Sequence, residues 1–125
     1  MLALVLDDSR AMRLILRRIL TQAGFTVVEA GDGQEALDVI AAGEVPDLAL
    51  VDWNMPVMNG LEFVSAVRKV REYRQMTLMM VTTESEHSQI VRALAAGAHE
   101  YVLKPFTAEA ILDKLSLLGL TAPAA

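Results

Sequence analysis

At 125 residues the chain has room for one domain with a sizeable core, and a content of 54% hydrophobic against 22% charged residues excludes a disordered segment. A formal net charge of −5, with basic stretches at 10–18 and 68–74 broken by apolar residues, argues against direct nucleic-acid binding. The absence of cysteine excludes a disulfide framework and a thiolate metal site; no apolar stretch is long enough for a membrane span and Asp7-Asp8 interrupts any leader pattern, so a cytoplasmic protein without membrane insertion is expected.

The pattern alternates strand and helix five times. Residues 2–6, Leu2-Ala3-Leu4-Val5-Leu6, are a continuous apolar run that ends in Asp7 and Asp8. Runs of this kind read as parallel strands buried on both faces. Ser9 is placed to cap a helix whose inward stripe is Met12, Ile15, Leu16, Ile19 and Leu20, and Gly24 ends it. A short strand over 25–29 follows. Ala36, Leu37, Val39 and Ile40 give the face of a second helix, closed by Gly43 with Pro46 beyond. The third strand, 48–51, ends in Asp52. After Gly60 comes a helix with Leu61, Phe63, Val64, Val67 and Val70 as its apolar set, and then a strand over 77–81 ending in Thr82-Thr83. Ile90, Val91, Leu94 and Ala95 mark a fourth helix that stops at Gly97. A strand over 101–103 ends in Lys104-Pro105, and a helix over 108–118 turns Ile111, Leu112, Leu115 and Leu118 inward. Five short strands joined by helices imply right-handed crossovers and an α/β sheet covered on both faces.

In a parallel sheet the carboxyl ends of the strands share one edge, where ligands of open α/β sheets bind. That edge gathers Asp7, Asp8, Asp52, Thr82 and Lys104. Three neighbouring carboxylates repel one another and call for a hard divalent cation with oxygen ligands. One carboxylate can attack a phosphoryl group while the others hold Mg²⁺, and a lysine and a threonine then meet the oxygens of the transferred group. No Gly-rich Lys loop of the nucleotide-triphosphate type and no G-x-S-x-G elbow is present. His87 and His99 read as ordinary surface residues, not as ligands or phosphoacceptors.

These motifs resemble the receiver domain of bacterial two-component response regulators along nearly the whole chain. They are Asp7-Asp8, Asp52, Met55-Pro56 with Gly60 behind it, Thr82, and Lys104-Pro105-Phe106, in order and at domain-scale spacing. Within the family, the stretch from Asp52-Trp53-Asn54-Met55-Pro56 to Glu62, together with Val81-Thr82-Thr83-Glu84 and Tyr101 to Thr107, is similar to the single-domain chemotaxis regulator that binds the flagellar motor switch. Asn59 departs from the Asp that many members carry, at a loop position away from the acids. The resemblance implies a doubly wound, flavodoxin-like sheet of strand order 2-1-3-4-5 flanked by five helices. It implies a receiver domain over 1–118, with 119–125 a flexible tail or the start of a linker.

The resemblance also implies roles. Asp52 accepts a phosphoryl group from the phosphohistidine of a histidine kinase. Asp8 and Asp52 bind Mg²⁺ directly with the backbone carbonyl of Asn54, and Asp7 helps through water. Lys104 pairs with the carboxylates and then with the phosphoryl group, and Thr82 with a further phosphoryl oxygen. Tyr101 is the aromatic switch that follows Thr82, while Asn54 and Glu84 tune dephosphorylation. The output surface is the fourth helix, fifth strand and fifth helix, with Ser88, Gln89, Arg92, His99 and Lys114 as exposed candidates. The protein is then a self-phosphorylating and autodephosphorylating switch, not a metabolic enzyme.

Several residues carry plainer readings. Met55-Pro56 shapes a turn, Trp53 covers the rim of the pocket, and Gly97 caps a helix. The residues leave the Lys104-Pro105 bond open between cis and trans, and the resemblance implies cis. Three alternatives share the same pocket: a receiver cut from a larger transcription factor or hybrid kinase, a phosphorelay intermediate meeting a helical bundle through Arg10, Ala11 and Leu14, and a non-phosphorylated scaffold. The scaffold is disfavoured because no acid of the pocket, nor the Lys, is missing.

Overall fold

The computed structural model describes residues 1–120. Strands β1 (Leu2–Leu6), β2 (Thr26–Ala30), β3 (Leu48–Val51), β4 (Thr77–Thr82) and β5 (Glu100–Leu103) alternate with helices α1 (Arg10–Gln22), α2 (Gly33–Ala42), α3 (Gly60–Lys69), α4 (His87–Ala96) and α5 (Ala108–Leu117). A 3₁₀ turn at Arg71–Tyr73 links α3 to β4. All strand pairs are parallel, in the order β2-β1-β3-β4-β5. This is the flavodoxin-like sheet the family resemblance implied.

The pleat divides each apolar run between two cores. Leu4, Leu6, Ala49, Val51, Leu78 and Met80 face α2, α3 and α4, meeting Ala36, Ile40, Phe63, Val64, Val67 and Ala93. Ala3, Val5, Leu48, Leu50, Met79 and Val81 face α1 and α5, meeting Leu16, Leu20, Ile111 and Leu115. Nearly all of these side chains are fully withdrawn from water, and each large one contributes about 1.5–3 kcal/mol.

Local signals fix the helix ends. Ser9 caps α1 by accepting the Met12 amide, and Gly24, at φ 96°, lets the chain turn into β2. Asn59 and Glu62 form a reciprocal capping box on α3. Thr107 caps α5, and beyond that helix the Leu120 amide donates to the Leu115 carbonyl. The rest of the expected tail, 121–125, lies outside the described residues.

Five expectations fail in detail. The second strand begins one residue late, because Phe25 packs below it as its amide closes α1 on the Leu20 carbonyl. On α1, Ile15 is 46% exposed, and on α5 Leu112 faces outward as well. Val70 ends α3 as its C-cap. On α4 the buried residue is Ala93, while Val91, Leu94 and Ala95 are exposed. A small side chain lets α4 approach the sheet closely, so the larger apolar residues do not mark the inward face.

Candidate functional site

The register brings the strand ends level. Leu6 pairs with Val51, so Asp7 and Asp52 occupy the next rung, and the Asp52 amide donates to the Leu6 carbonyl at 2.9 Å. Thr82 pairs with Leu103, and the Lys104 amide donates to the Thr82 carbonyl at 2.9 Å. The edge thereby collects Asp7, Asp8 and Asp52, each offering a carboxylate oxygen within 4.8 Å of the others.

The three acids have different surroundings. Asp7 is 1% exposed; its Oδ1 accepts the Ser9 amide at 2.8 Å and its Oδ2 meets Lys104 Nζ at 2.7 Å. Asp52 is 7% exposed, with Oδ1 accepting the Trp53 amide at 2.8 Å and Oδ2 lying 3.4 Å from the same ammonium. Asp8 is exposed, and among the described residues its carboxylate accepts no hydrogen bond. Burial pushes the Asp52 carboxyl above the usual carboxylate range, and the Asp7 charge adds to the push. The Thr82 hydroxyl, Lys104 and the Trp53 amide pull the other way without reversing it.

Three carboxylates face one ammonium, which leaves an excess of two negative charges when all are ionised. A hard divalent cation supplies that balance, and the donor set is all oxygen. The residues therefore fit a site of this class, with Asp8 and Asp52 presenting one exposed and one buried carboxylate.

The loop after Asp52 is held at both ends. The Gly60 amide donates to the Trp53 carbonyl, and a Cβ on Gly60 would lie 2.1 Å from the Asp52 carbonyl oxygen, so only glycine fits there. The Met58 carbonyl accepts the Gly33 amide at 3.1 Å. Between them Val57 takes φ 66°, in a tight turn closed by the Met58 amide on the Pro56 carbonyl at 2.7 Å. Trp53 is 7% exposed and packs into the core with Phe63 and Val64, so it does not cover the rim of the pocket as its sequence position suggested. Asn54 is exposed beside it.

Thr82 is fully buried, and its Oγ1 accepts the Glu84 amide at 3.3 Å. Tyr101 is half-buried, and its hydroxyl donates to the Glu84 carbonyl at 2.8 Å. Burial, with Glu84 and Asp52 nearby, pushes its phenol up to about 12. The Lys104–Pro105 peptide is cis.

Three participants escaped the sequence reading. Arg13 reaches from α1 to the Asp7 carbonyl, Glu29 of β2 holds Arg13, and Val57 carries the unusual backbone. His99 was expected at the surface only. It is exposed, yet its Nδ1 accepts the Leu78 amide at 3.1 Å and lies 3.3 Å from Arg68 Nη2. None has a periodic signal in sequence.

The sequence model described as "Response regulator receiver domain" matches residues 3–116. A chemotaxis protein CheY homolog of Campylobacter jejuni is 44% identical over 113 residues, covering 90% of this chain and 87% of the relative. Chemotaxis protein CheY1 of Helicobacter pylori is 38% identical over 116 residues, covering 92% and 94%. The solved structure of CheY4 of Vibrio cholerae superposes with a TM-score of 0.86 at 37% identity, covering 93% of this chain and 96% of that one. No helix among the described residues is long and apolar enough to cross a membrane.

Proposed function

We propose that this chain, which belongs to the response regulator receiver domain family, is a chemotaxis-type switch driven by phosphorylation of Asp52. The observation that carries this reading is the juxtaposition of three carboxylates within 4.8 Å with Lys104 and the buried Thr82 on one sheet edge. An Asp52 carboxylate oxygen attacks the phosphorus of a kinase phosphohistidine. The phosphorus–nitrogen bond breaks, its electron pair leaves with the imidazole, and an acyl phosphate remains on Asp52. Asp8, Asp52 and the Asn54 carbonyl would hold Mg²⁺, with Asp7 assisting through water; bound there, Mg²⁺ would neutralise charge on the phosphoryl oxygens. Lys104 turns from the carboxylates to a phosphoryl oxygen, and Thr82 donates its hydroxyl to another. Asn54 and Glu84 flank the path of the water that later cleaves the acyl phosphate.

The output follows from that movement. The Tyr101 hydroxyl is tied to the loop after Thr82 through the Glu84 carbonyl, so a shift of Thr82 bears on both Tyr101 and α4. On α4, β5 and α5 the apolar residues Val91, Leu94, Leu103 and Leu112 are exposed, as are Ser88, Arg92 and His99, so each of the three elements offers an apolar side chain to a protein partner. Of the polar candidates Gln89 and Arg92 pair with each other, Lys114 with Glu100, and His99 with the Leu78 amide and Arg68. Since the relatives are chemotaxis proteins, the proposed partners are a histidine kinase upstream and the flagellar motor switch downstream.

Incubation with acetyl phosphate and Mg²⁺ tests the reading. One phosphoryl mass should appear, labile to base and hydroxylamine, and it should be absent in Asp52→Asn. An acid-labile, base-stable adduct on His87 or His99 would refute it.

A further inference from the structure

Every polar atom of Asp7 is held by a different residue. Its amide donates to the Ala30 carbonyl of β2 at 3.1 Å, Oδ1 accepts from Ser9, and Oδ2 meets Lys104. Its carbonyl oxygen accepts from Arg13 Nη1 at 2.7 Å. That carbonyl belongs to the peptide joining Asp7 to Asp8, so the guanidinium fixes the plane from which Asp8 departs. The peptide on its other side is held as well, by the Ser9 amide on Asp7 Oδ1, but the Asp8 carboxylate itself is exposed and accepts no hydrogen bond among the described residues, so its direction is set through these two peptides.

Arg13 is well placed for this task. It lies one turn inside α1, with its side chain 19% exposed, and Nε donates to Glu29 Oε1 at 3.1 Å. Glu29 also takes Arg17 on its other oxygen. Glu29 is the neighbour in β2 of Ala30, whose carbonyl receives the Asp7 amide. Arg13 and Ala30 thus hold Asp7 by its two backbone atoms, anchored on adjacent residues of one strand. A guanidinium suits this because its planar fork reaches a carbonyl and a carboxylate together, whereas an ammonium has no fixed fork.

We propose that Arg13 is a positioning residue of the acidic pocket, aiming the Asp8 carboxylate at the cation by locking the Asp7–Asp8 peptide. This rests on the metal site of the proposed function and adds a residue that does not itself touch the ion. The sign of its effect separates positioning from charge. By charge alone, a cation beside the pocket repels Mg²⁺, and its removal tightens binding. By positioning, its removal lets Asp8 swing and weakens binding, as loss of supporting hydrogen bonds at metal sites does by about 10–100-fold.

The test is a Mg²⁺ titration of the full chain read by Trp53, the single tryptophan, which adjoins Asp52. Wild type, Arg13→Gln, Arg13→Lys, Glu29→Gln, the Arg13→Gln/Glu29→Gln double variant and Asp8→Ala are compared, with metal-free thermal unfolding of each. The expected results are a Kd raised about tenfold or more in Arg13→Gln, a smaller rise in Arg13→Lys and Glu29→Gln, and a double variant no worse than Arg13→Gln alone. A merely structural role lowers the unfolding temperature with Kd unchanged; that result, or tighter binding, overturns the proposal while loss of binding in Asp8→Ala leaves the metal site standing. If wild type and Asp8→Ala titrate alike, the metal reading fails and the proposal falls with it. Should Arg13→Gln not fold, Glu29→Gln decides: weakened binding supports the positioning role and unchanged binding refutes it.

Discussion

Lys104 Nζ is closer to Asp7 than to Asp52, at 2.7 Å against 3.4 Å, so the pocket's ammonium is committed mainly to the acid that is not the proposed phosphoacceptor. Asp7 is the more deeply buried of the two. Its charge is tolerated there because the ammonium and the Ser9 amide both meet it. In the proposed mechanism the lysine therefore has two tasks, stabilising Asp7 before phosphorylation and transmitting charge afterwards.

Removing Lys104 should expose both tasks. Lys104→Ala leaves Asp7 buried without its counter-ion and should cost about 3 kcal/mol in denaturant unfolding at neutral pH. Phosphorylation by acetyl phosphate should survive better than the response to it. With beryllofluoride as phosphoryl mimic, amide NMR shifts at Thr82, Tyr101 and α4 should fall well short of wild type. Full wild-type shifts would assign the transmission to Thr82 alone.

Asp52 sits in the opposite energetic position. Burial raises its carboxyl in the folded state, so folding favours its protonated form. The stabilisation from that proton is present below the unfolded value of 3.8 and is lost as pH rises through the raised folded value. At neutral pH ionised Asp52 is thus a liability, and Asp52→Asn should raise the melting temperature. The advantage should shrink in acid. Added Mg²⁺ at ten times its wild-type Kd should stabilise wild type by about 1.4 kcal/mol and the variant markedly less.

His99 gives the domain an acid-sensitive joint. Although the residue as a whole is exposed, partial burial of its ring against Arg68 and the Leu78 amide, and secondarily the Arg68 charge, lower its imidazole below the ordinary 6.5, consistent with a neutral ring whose Nδ1 accepts the Leu78 amide. The unfolded chain then binds the proton more readily. This stabilisation is full above pH 6.5 and is lost as pH falls through the folded value. Ring ¹⁵N NMR should report a lowered titration midpoint with Nε2 protonated in the neutral form. Arg68→Met should move it only part of the way back, since burial remains. In His99→Ala, stability should lose this fall on acidification.

Val57 holds a β-branched side chain at φ 66° while 82% exposed, so its backbone is strained and its side chain contributes little packing. Val57→Gly should stabilise by about 1 kcal/mol, the net of about 1–2 kcal/mol of relieved strain and the added entropy of a glycine in the unfolded chain. Urea unfolding reads this as a higher midpoint at unchanged slope. A lower midpoint would mean that the side chain makes contacts that offset its strain.

Much of the site was already legible in residue order. An apolar run that stops at a carboxylate is both a buried strand and the position of a functional group, because parallel strands present their ends on one edge. Asp7, Asp8, Asp52, Thr82 and Lys104 could therefore be gathered from residue order alone, and the cap at Ser9 follows from a side chain that reaches its own backbone three residues on, whereas Asn59, read only as a loop position, proves to cap α3. What only the tertiary structure decided involves reach between elements. Arg13 meets a carbonyl six residues back and a carboxylate on the next strand, and His99 takes the place of a ladder carbonyl for Leu78. Long polar side chains have no period that reveals their targets. The inward face of α4 was likewise set by how closely Ala93 lets the helix approach, with Val91 and Leu94 left to solvent. Hydrophobic periodicity reports which residues favour burial, and packing chooses among them by size.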